Sequence, residues 1–85
     1  MKKITLTLTS KLGLHARPAA AFVQTAAAYE SQITISTGTK TADAKSILGV
    51  LGLGARQGTT VIIEVQGLDE AEAAAVLQAF FHSGG

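Results

Sequence analysis

Three stretches of this chain alternate apolar and polar residues with a period of two. In Lys3-Ile4-Thr5-Leu6-Thr7-Leu8-Thr9 the apolar side is Ile4, Leu6 and Leu8 and the other side is threonine. Gln32 to Ser36 repeats the pattern around Ile33 and Ile35, and Val61 to Gln66 around Val61, Ile63 and Val65. A strand that is apolar on one side only is covered on one side only, so the chain is confined to a sheet with one wet face. A short strand near Thr41, reached through a Thr37-Gly38-Thr39-Lys40 hairpin link, supplies a fourth member.

Between the strands the period changes to that of a helix. From Ala16 to about Ala28, Ala19, Phe22, Val23, Ala26 and Glu30 share a face that is apolar except for Glu30, with Pro18 tolerated in the first turn. Asp43 to Leu53 reads as a short helix capped by Asp43 or Ser46 and weakened by Gly49, Gly52 and Gly54. Gly67 to Asp69 turn the chain into a last helix. Asp69, Glu70 and Glu72 suit its positive end, and Ala73, Val76, Leu77 and Phe80 form a buried stripe. The order strand, helix, strand, strand, helix, strand, helix predicts an α+β open-faced sandwich, a four-stranded antiparallel sheet covered on one face by three helices.

Size and composition narrow the function. All 85 residues are expected to form one domain, with no room for a second lobe. Ile, Leu, Val and Phe number 23, enough for a core, and there is no cysteine to staple it. Charged residues are 15% of the chain and the net charge is +1, which excludes general nucleic-acid binding. The charge is uneven, since residues 1–45 hold six cations and two anions while residues 46–85 hold one cation and four anions. On this reading the N-terminal half is the side that welcomes an anion. No apolar run suits membrane insertion and the start leads into alternation instead of a signal core, so an intact, soluble, cytoplasmic protein is expected.

The chemistry concentrates in Gly13-Leu14-His15-Ala16-Arg17-Pro18-Ala19. A histidine at the N-terminal edge of a helix faces unpaired backbone N–H groups and the positive end of the dipole, which favour a phosphate. The same field disfavours imidazolium and keeps the ring nucleophilic. Arg17 can grip phosphate oxygens with its fork of donors, and Gly13 lets the preceding backbone come close. His82, in the last turn of a helix, has no such neighbours. Two distant histidines without cysteine make no metal site, and Gly49, Gly52, Gly54 and Gly58 spell no nucleotide loop, so no metal and no cofactor are expected.

Lys45-Ser46-Ile47-Leu48-Gly49-Val50-Leu51 is the second informative stretch. Ser46 needs no role beyond capping, yet Ile47, Leu48, Val50 and Leu51 cannot all face inward on so short a helix. Ile47, Leu48 and Leu51 therefore form a candidate partner patch. A phosphate on Ser46 is compatible with the helix start and would repel acidic partners.

At these two stretches, and over essentially its whole length, the sequence resembles the HPr family of histidine-containing phosphocarriers of the bacterial phosphoenolpyruvate-dependent sugar phosphotransferase system. Gly13-Leu14-His15-Ala16-Arg17-Pro18-Ala19 is similar to the active-site signature and Lys45-Ser46-Ile47-Leu48-Gly49-Val50 to the serine-site signature, with Gly54 and Gly58 also where the family tends to have glycine. The resemblance implies that Enzyme I phosphorylates Nδ1 of His15 and that sugar-specific IIA components take the group onward. Arg17 and the backbone N–H groups of Ala16 and Arg17 would hold the phosphoryl group. It further implies that an HPr kinase/phosphorylase modifies Ser46, weakening acceptance from Enzyme I and creating a corepressor for a catabolite control protein. The expected protein is a monomeric carrier without turnover of its own, binding neither nucleic acid nor membrane.

Some positions depart from the family pattern. Leu12 stands where Asn or Ser is common, and Gln24 and Ala27 where many members have Lys, which thins the basic rim offered to acidic partners. Lys11, Arg17 and Lys45 are expected around the phosphate. The alternatives are a nitrogen-branch paralogous phosphocarrier, a small acyl-phosphate hydrolase, and a non-catalytic regulatory module that uses the apolar patch alone.

Overall fold

In the three alternating strands the apolar half packs on the core, Leu6 only in part, and the polar half does not. The computed structural model describes residues 1–8 and 16–82, with the side chains of all these except Ala16, Arg17 and His82. Its elements are β1 (Lys2–Thr7), α1 (Ala16–Ala27), β2 (Gln32–Ser36), β3 (Thr41–Asp43), α2 (Ile47–Gly52), β4 (Thr60–Gln66) and α3 (Glu70–His82). Ile4, Ile33, Ile35, Val61, Ile63 and Val65 are buried, and Lys3, Thr5, Thr7 and Thr34 are exposed. The sheet order is β1-β4-β2-β3, every neighbouring pair antiparallel. The core is one cluster that joins these residues to Ala19, Phe22 and Ala26 of α1, Val50 of α2, and Ala73 and Leu77 of α3. The α+β open-faced sandwich expected from the sequence is the fold.

The register gives the sheet two ends. At the upper end Thr7 lies opposite Thr60, and Ser36 opposite both Ile62 and Thr41; at the lower end Lys2 faces Val65 and Gln32 faces Gln66. α1 ends at Ala27 and the chain turns through Tyr29 and Ser31 into β2, so the end of α1 is low. Its 12 residues rise about 18 Å, which puts its start high. The Lys45 Nζ donates to the Tyr29 carbonyl at 2.7 Å, so α2 begins low, beside the end of α1. The Lys40 Nζ donates to the Gly52 carbonyl at 3.3 Å, so α2 ends beside the upper hairpin, where Thr37 N–H donates to the Lys40 carbonyl at 2.9 Å. Neither α1 nor α2 has a basic residue in its last turn. Two lysines from elsewhere supply the cation that a helix C-terminus favours.

Several sequence expectations change. α2 starts at Ile47 with Ser46 as its N-cap, the Ser46 Oγ accepting from Gly49 N–H at 3.2 Å. Asp43 instead ends β3, three residues before the cap, and its carboxylate accepts from Lys45 N–H at 2.9 Å in a local turn. Glu30 lies beyond α1 and is exposed. Val76 is 36% exposed, because the inward side of α3 runs through Ala73, Ala74 and Leu77 and leaves Val76 on the flank. Phe80 and Phe81 close that side by packing their rings 6.0 and 5.5 Å from Phe22. Thr9, expected in β1, lies outside the described residues.

Candidate functional site

The upper end carries the start of α1. The helix begins at Ala16, so the N–H groups of Ala16 and Arg17 belong to its first turn, where no earlier helical carbonyl is available to accept them. Pro18 sits in that same turn, where its missing N–H costs nothing. No acidic residue occupies the first turn, a composition compatible with an anion at the positive end of the helix. His15, Lys11, Leu12 and Gly13 lie outside the described residues, as does the side chain of Arg17. The residue preceding α1 in the sequence is nonetheless His15.

The chain that leads to this helix start is clamped on its incoming side. Leu8 N–H donates to the Thr59 carbonyl at 2.9 Å, and Gly58 N–H donates to the Leu8 carbonyl at 2.8 Å. The clamp depends on a turn over residues 54–59, in which Gly54 and Gly58 have φ of 64° and 88°, the left-handed region that disfavours any side chain. Within it, Thr59 N–H donates to the Arg56 carbonyl at 3.0 Å and Arg56 N–H to the Thr59 Oγ1 at 3.1 Å. The side chain of Arg56 is exposed at the tip of this turn. Sequence reasoning passed over it; the available signal was a cation in a short turn between two glycines.

The second motif divides. Leu48 is 80% exposed and Ile47 also reaches solvent, while Leu51 is half-buried and packs on the core. The exposed patch is therefore Ile47 and Leu48, with Leu51 beneath it. Ser46 is exposed at the α2 start, which is low. The same geometry removes Lys45 from the expected ring of cations around the phosphate, because its ammonium is held at the far end of α1.

The charge split is axial. All six acidic residues occupy the lower half: Glu30, Asp69, Glu70 and Glu72 at the α1–β2 and β4–α3 junctions, and Glu64 and Asp43 on the sheet row that also carries Lys3 and Thr34. Lys2, Lys3 and Lys45 share that half. The upper end has Arg17 on α1, Lys40 and Arg56, and no acid among the described residues.

The lower junction contains a role that the sequence did not reveal. The Asp69 carboxylate accepts from Glu30 N–H at 2.8 Å, from Ser31 N–H at 3.0 Å and from the Ser31 hydroxyl. The Ser31 hydroxyl, then the Glu30 N–H, hold the Asp69 carboxyl below its ordinary value. Glu70 is likewise lowered, first by the Met1 ammonium 2.8 Å from its Oε2 and then by Gly67 N–H. Asp69 is thus a tie between segments 38 residues apart, which no local sequence signal announces. A recess of about 480 Å³ lined by Gln32, Thr34, Asp43 and Lys45 lies on the sheet away from the α1 start. This recess contributes no residue to the α1 start.

Comparison with known proteins agrees with this arrangement. The family described as the PTS HPr component phosphorylation site matches residues 2–83. A phosphocarrier protein HPr of Xylella fastidiosa strain Temecula1 is 45% identical over 78 residues, covering 92% of this chain and 88% of the relative. The crystal structure of HPr-C-His from Thermoanaerobacter tengcongensis superposes with a TM-score of 0.95 at 45% identity, covering 99% of this chain and 94% of that one. An HPr dimer from the same organism gives 0.77 at 46% identity, with 98% and 95% covered. With its helix start, its glycine-shaped turn and its sheet order all in place, the chain belongs to the HPr family of phosphocarriers of the phosphotransferase system.

Proposed function

We propose that this protein accepts a phosphoryl group from phospho-Enzyme I on Nδ1 of His15 and passes it to sugar-specific IIA components. In the first transfer the bond from phosphorus to the donor breaks, the donor keeps the electron pair, and the neutral His15 imidazole forms the new P–N bond. In the second that P–N bond breaks, the His15 imidazole keeps the pair, and a nucleophile of the IIA component takes the phosphorus. Water takes no part, and the protein is a carrier without turnover of its own. The observation that carries the reading is the first turn of α1, which begins at Ala16 directly after His15 and has no acid to occupy its N–H groups. Those of Ala16 and Arg17, with the Arg17 guanidinium, are suited to the phosphoryl oxygens, and transfer of this kind depends mainly on positioning and charge. No cofactor is needed.

Incubation with Enzyme I, phosphoenolpyruvate and Mg²⁺ should add one acid-labile phosphoryl group that His15→Ala lacks. Equal labelling of that variant would remove the assignment. A regulatory binding module would take up no label, and an acyl-phosphate hydrolase would release inorganic phosphate. A nitrogen-branch carrier would label and then fail to phosphorylate sugar IIA components.

On the same reading residues 1–85 act as one cytoplasmic domain and as a monomer, since a carrier that meets partners in turn has no use for burying its acceptor. Light scattering of a stable dimer would correct this. Ser46 is the regulatory site for an HPr kinase/phosphorylase, with the Ile47, Leu48 and Leu51 region and a catabolite control protein as its readout. Its place at the lower end means that phosphate there acts on partner recognition and not by touching the acceptor. Kinase and ATP should add an acid-stable phosphate that Ser46→Ala abolishes.

A further inference from the structure

We propose that Arg56 is a docking cation that steers the acidic face of the phosphoryl donor protein to the upper end of the molecule. The proposal rests on the phosphocarrier reading above and adds a residue to it. Three observations meet at this side chain. The turn that carries it is bonded on both sides to Leu8, the last described residue before segment 9–15, so its position is tied to the incoming limb of the candidate site. Its own backbone is bonded in both directions to Thr59, which fixes the tip. Its side chain is exposed, and among the described residues the guanidinium has no partner.

Among the cations whose side chains are described, the others are disposed differently. Lys40 and Lys45 are engaged with the carbonyls of Gly52 and Tyr29. Lys2 and Lys3 stand at the opposite end of β1, Lys3 directly across from Glu64. Lys2 is five residue steps from Thr7, about 17 Å or roughly two Debye lengths of about 8 Å at physiological ionic strength, so its charge is largely screened from a partner at the upper end. Apart from Arg17, whose side chain lies outside the described residues, α1 adds no cation, and Gln24 and Ala27 are exposed and uncharged. With all six acids in the lower half, an approaching acidic surface is repelled from that half and attracted to the end that Arg56 marks.

Steady-state transfer from phospho-Enzyme I tests this with full-length variants. Arg56→Gln should raise KM for this protein about threefold at low salt and Arg56→Glu about tenfold, with kcat within about twofold of wild type and unchanged melting temperatures. Arg56→Lys should restore the wild-type KM, and the differences should close toward about 0.5 M salt. Lys2→Glu, a charge reversal of equal size at the far end, should leave KM unchanged. The proposal is overturned by an unaltered KM in Arg56→Glu, by a loss that persists at high salt, or by an equal rise in Lys2→Glu. A wild-type protein that takes no label overturns the carrier reading and this one together, whereas labelled wild type with an indifferent Arg56→Glu overturns this one alone.

Discussion

The two ends of the sheet are built by opposite means. At the lower end, backbone and carboxylates are knotted together: Asp69 accepts from Glu30 and Ser31, Glu70 accepts from Gly67 and pairs with Met1, and Lys45 closes the end of α1. Ser31 is 1% exposed there, the one fully buried polar residue among those described. At the upper end, the first turn of α1 has no acid to take up its donors and the neighbouring turn is shaped by glycines with positive φ. Unsatisfied donors are costly when buried and useful when they await a ligand. The contrast shows where each kind of group is placed: satisfied polar ties hold the lower end, and the available charge of the upper end is left for a partner.

Substituting one glycine at each end separates these roles. A Cβ on Gly67 would lie 2.6 Å from the Ser31 Oγ and 2.7 Å from the Ser31 Cα, and a backbone atom in that place cannot swing aside. Gly67→Ala should therefore destabilise the fold by about 3 kcal/mol, read by urea or thermal unfolding. Phosphoryl transfer per folded molecule should stay at the wild-type level. At the other end Gly54 has φ of 64° and open space around it, so Gly54→Ala carries only the left-handed penalty of about 1 kcal/mol. If Gly54→Ala proves the costlier of the two, the lower end is not the stability centre.

Leu48→Ala tests the surface without disturbing either end. The side chain is 80% exposed, so the stability change should be within about 0.5 kcal/mol. KM for transfer should rise about threefold if the patch docks a partner, because a rim apolar contact is worth a fraction of a hot spot. Unchanged KM would leave recognition to the upper-end cations alone.

The sequence made the strands legible because half-burial writes itself as alternation, and Ile33, Ile35, Ile63 and Val65 all face the core as that pattern requires. The candidate acceptor was legible because histidine, arginine and proline stand together in one short stretch. What escaped was set by long-range geometry. Lys45 is close to Ser46 in sequence but its ammonium is fixed by Tyr29, and Val76 has the right spacing for the α3 stripe yet Ala74 takes the inward place. The charge split by sequence halves became a split by sheet ends, because antiparallel pairing brings Glu30 and Asp43 from the first half beside Glu64 and Asp69 from the second.

The lower end should also respond to acid, in a window that leaves neutral pH untouched. The Asp69 carboxyl is lowered from its ordinary value of 3.8, chiefly by the Ser31 hydroxyl and then by the Glu30 N–H, and Glu70 is lowered from 4.5 by the Met1 ammonium and then by Gly67 N–H. A carboxyl with a lower value folded than unfolded binds more protons in the unfolded chain, so its contribution is complete above the unfolded value and is lost as pH falls through the folded one. Thermal midpoints should therefore be insensitive to these two groups from pH 8 to about pH 5 and should decline below about pH 4. Asp69→Asn should be less stable than wild type at pH 7, and the gap should narrow on acidification as wild type loses the same charge. A gap that widens in acid, or an acid decline of equal steepness in Asp69→Asn and the wild type, would show that Ser31 and Glu30 do not favour the ionised form, and that the lower end is held by packing around Gly67 alone.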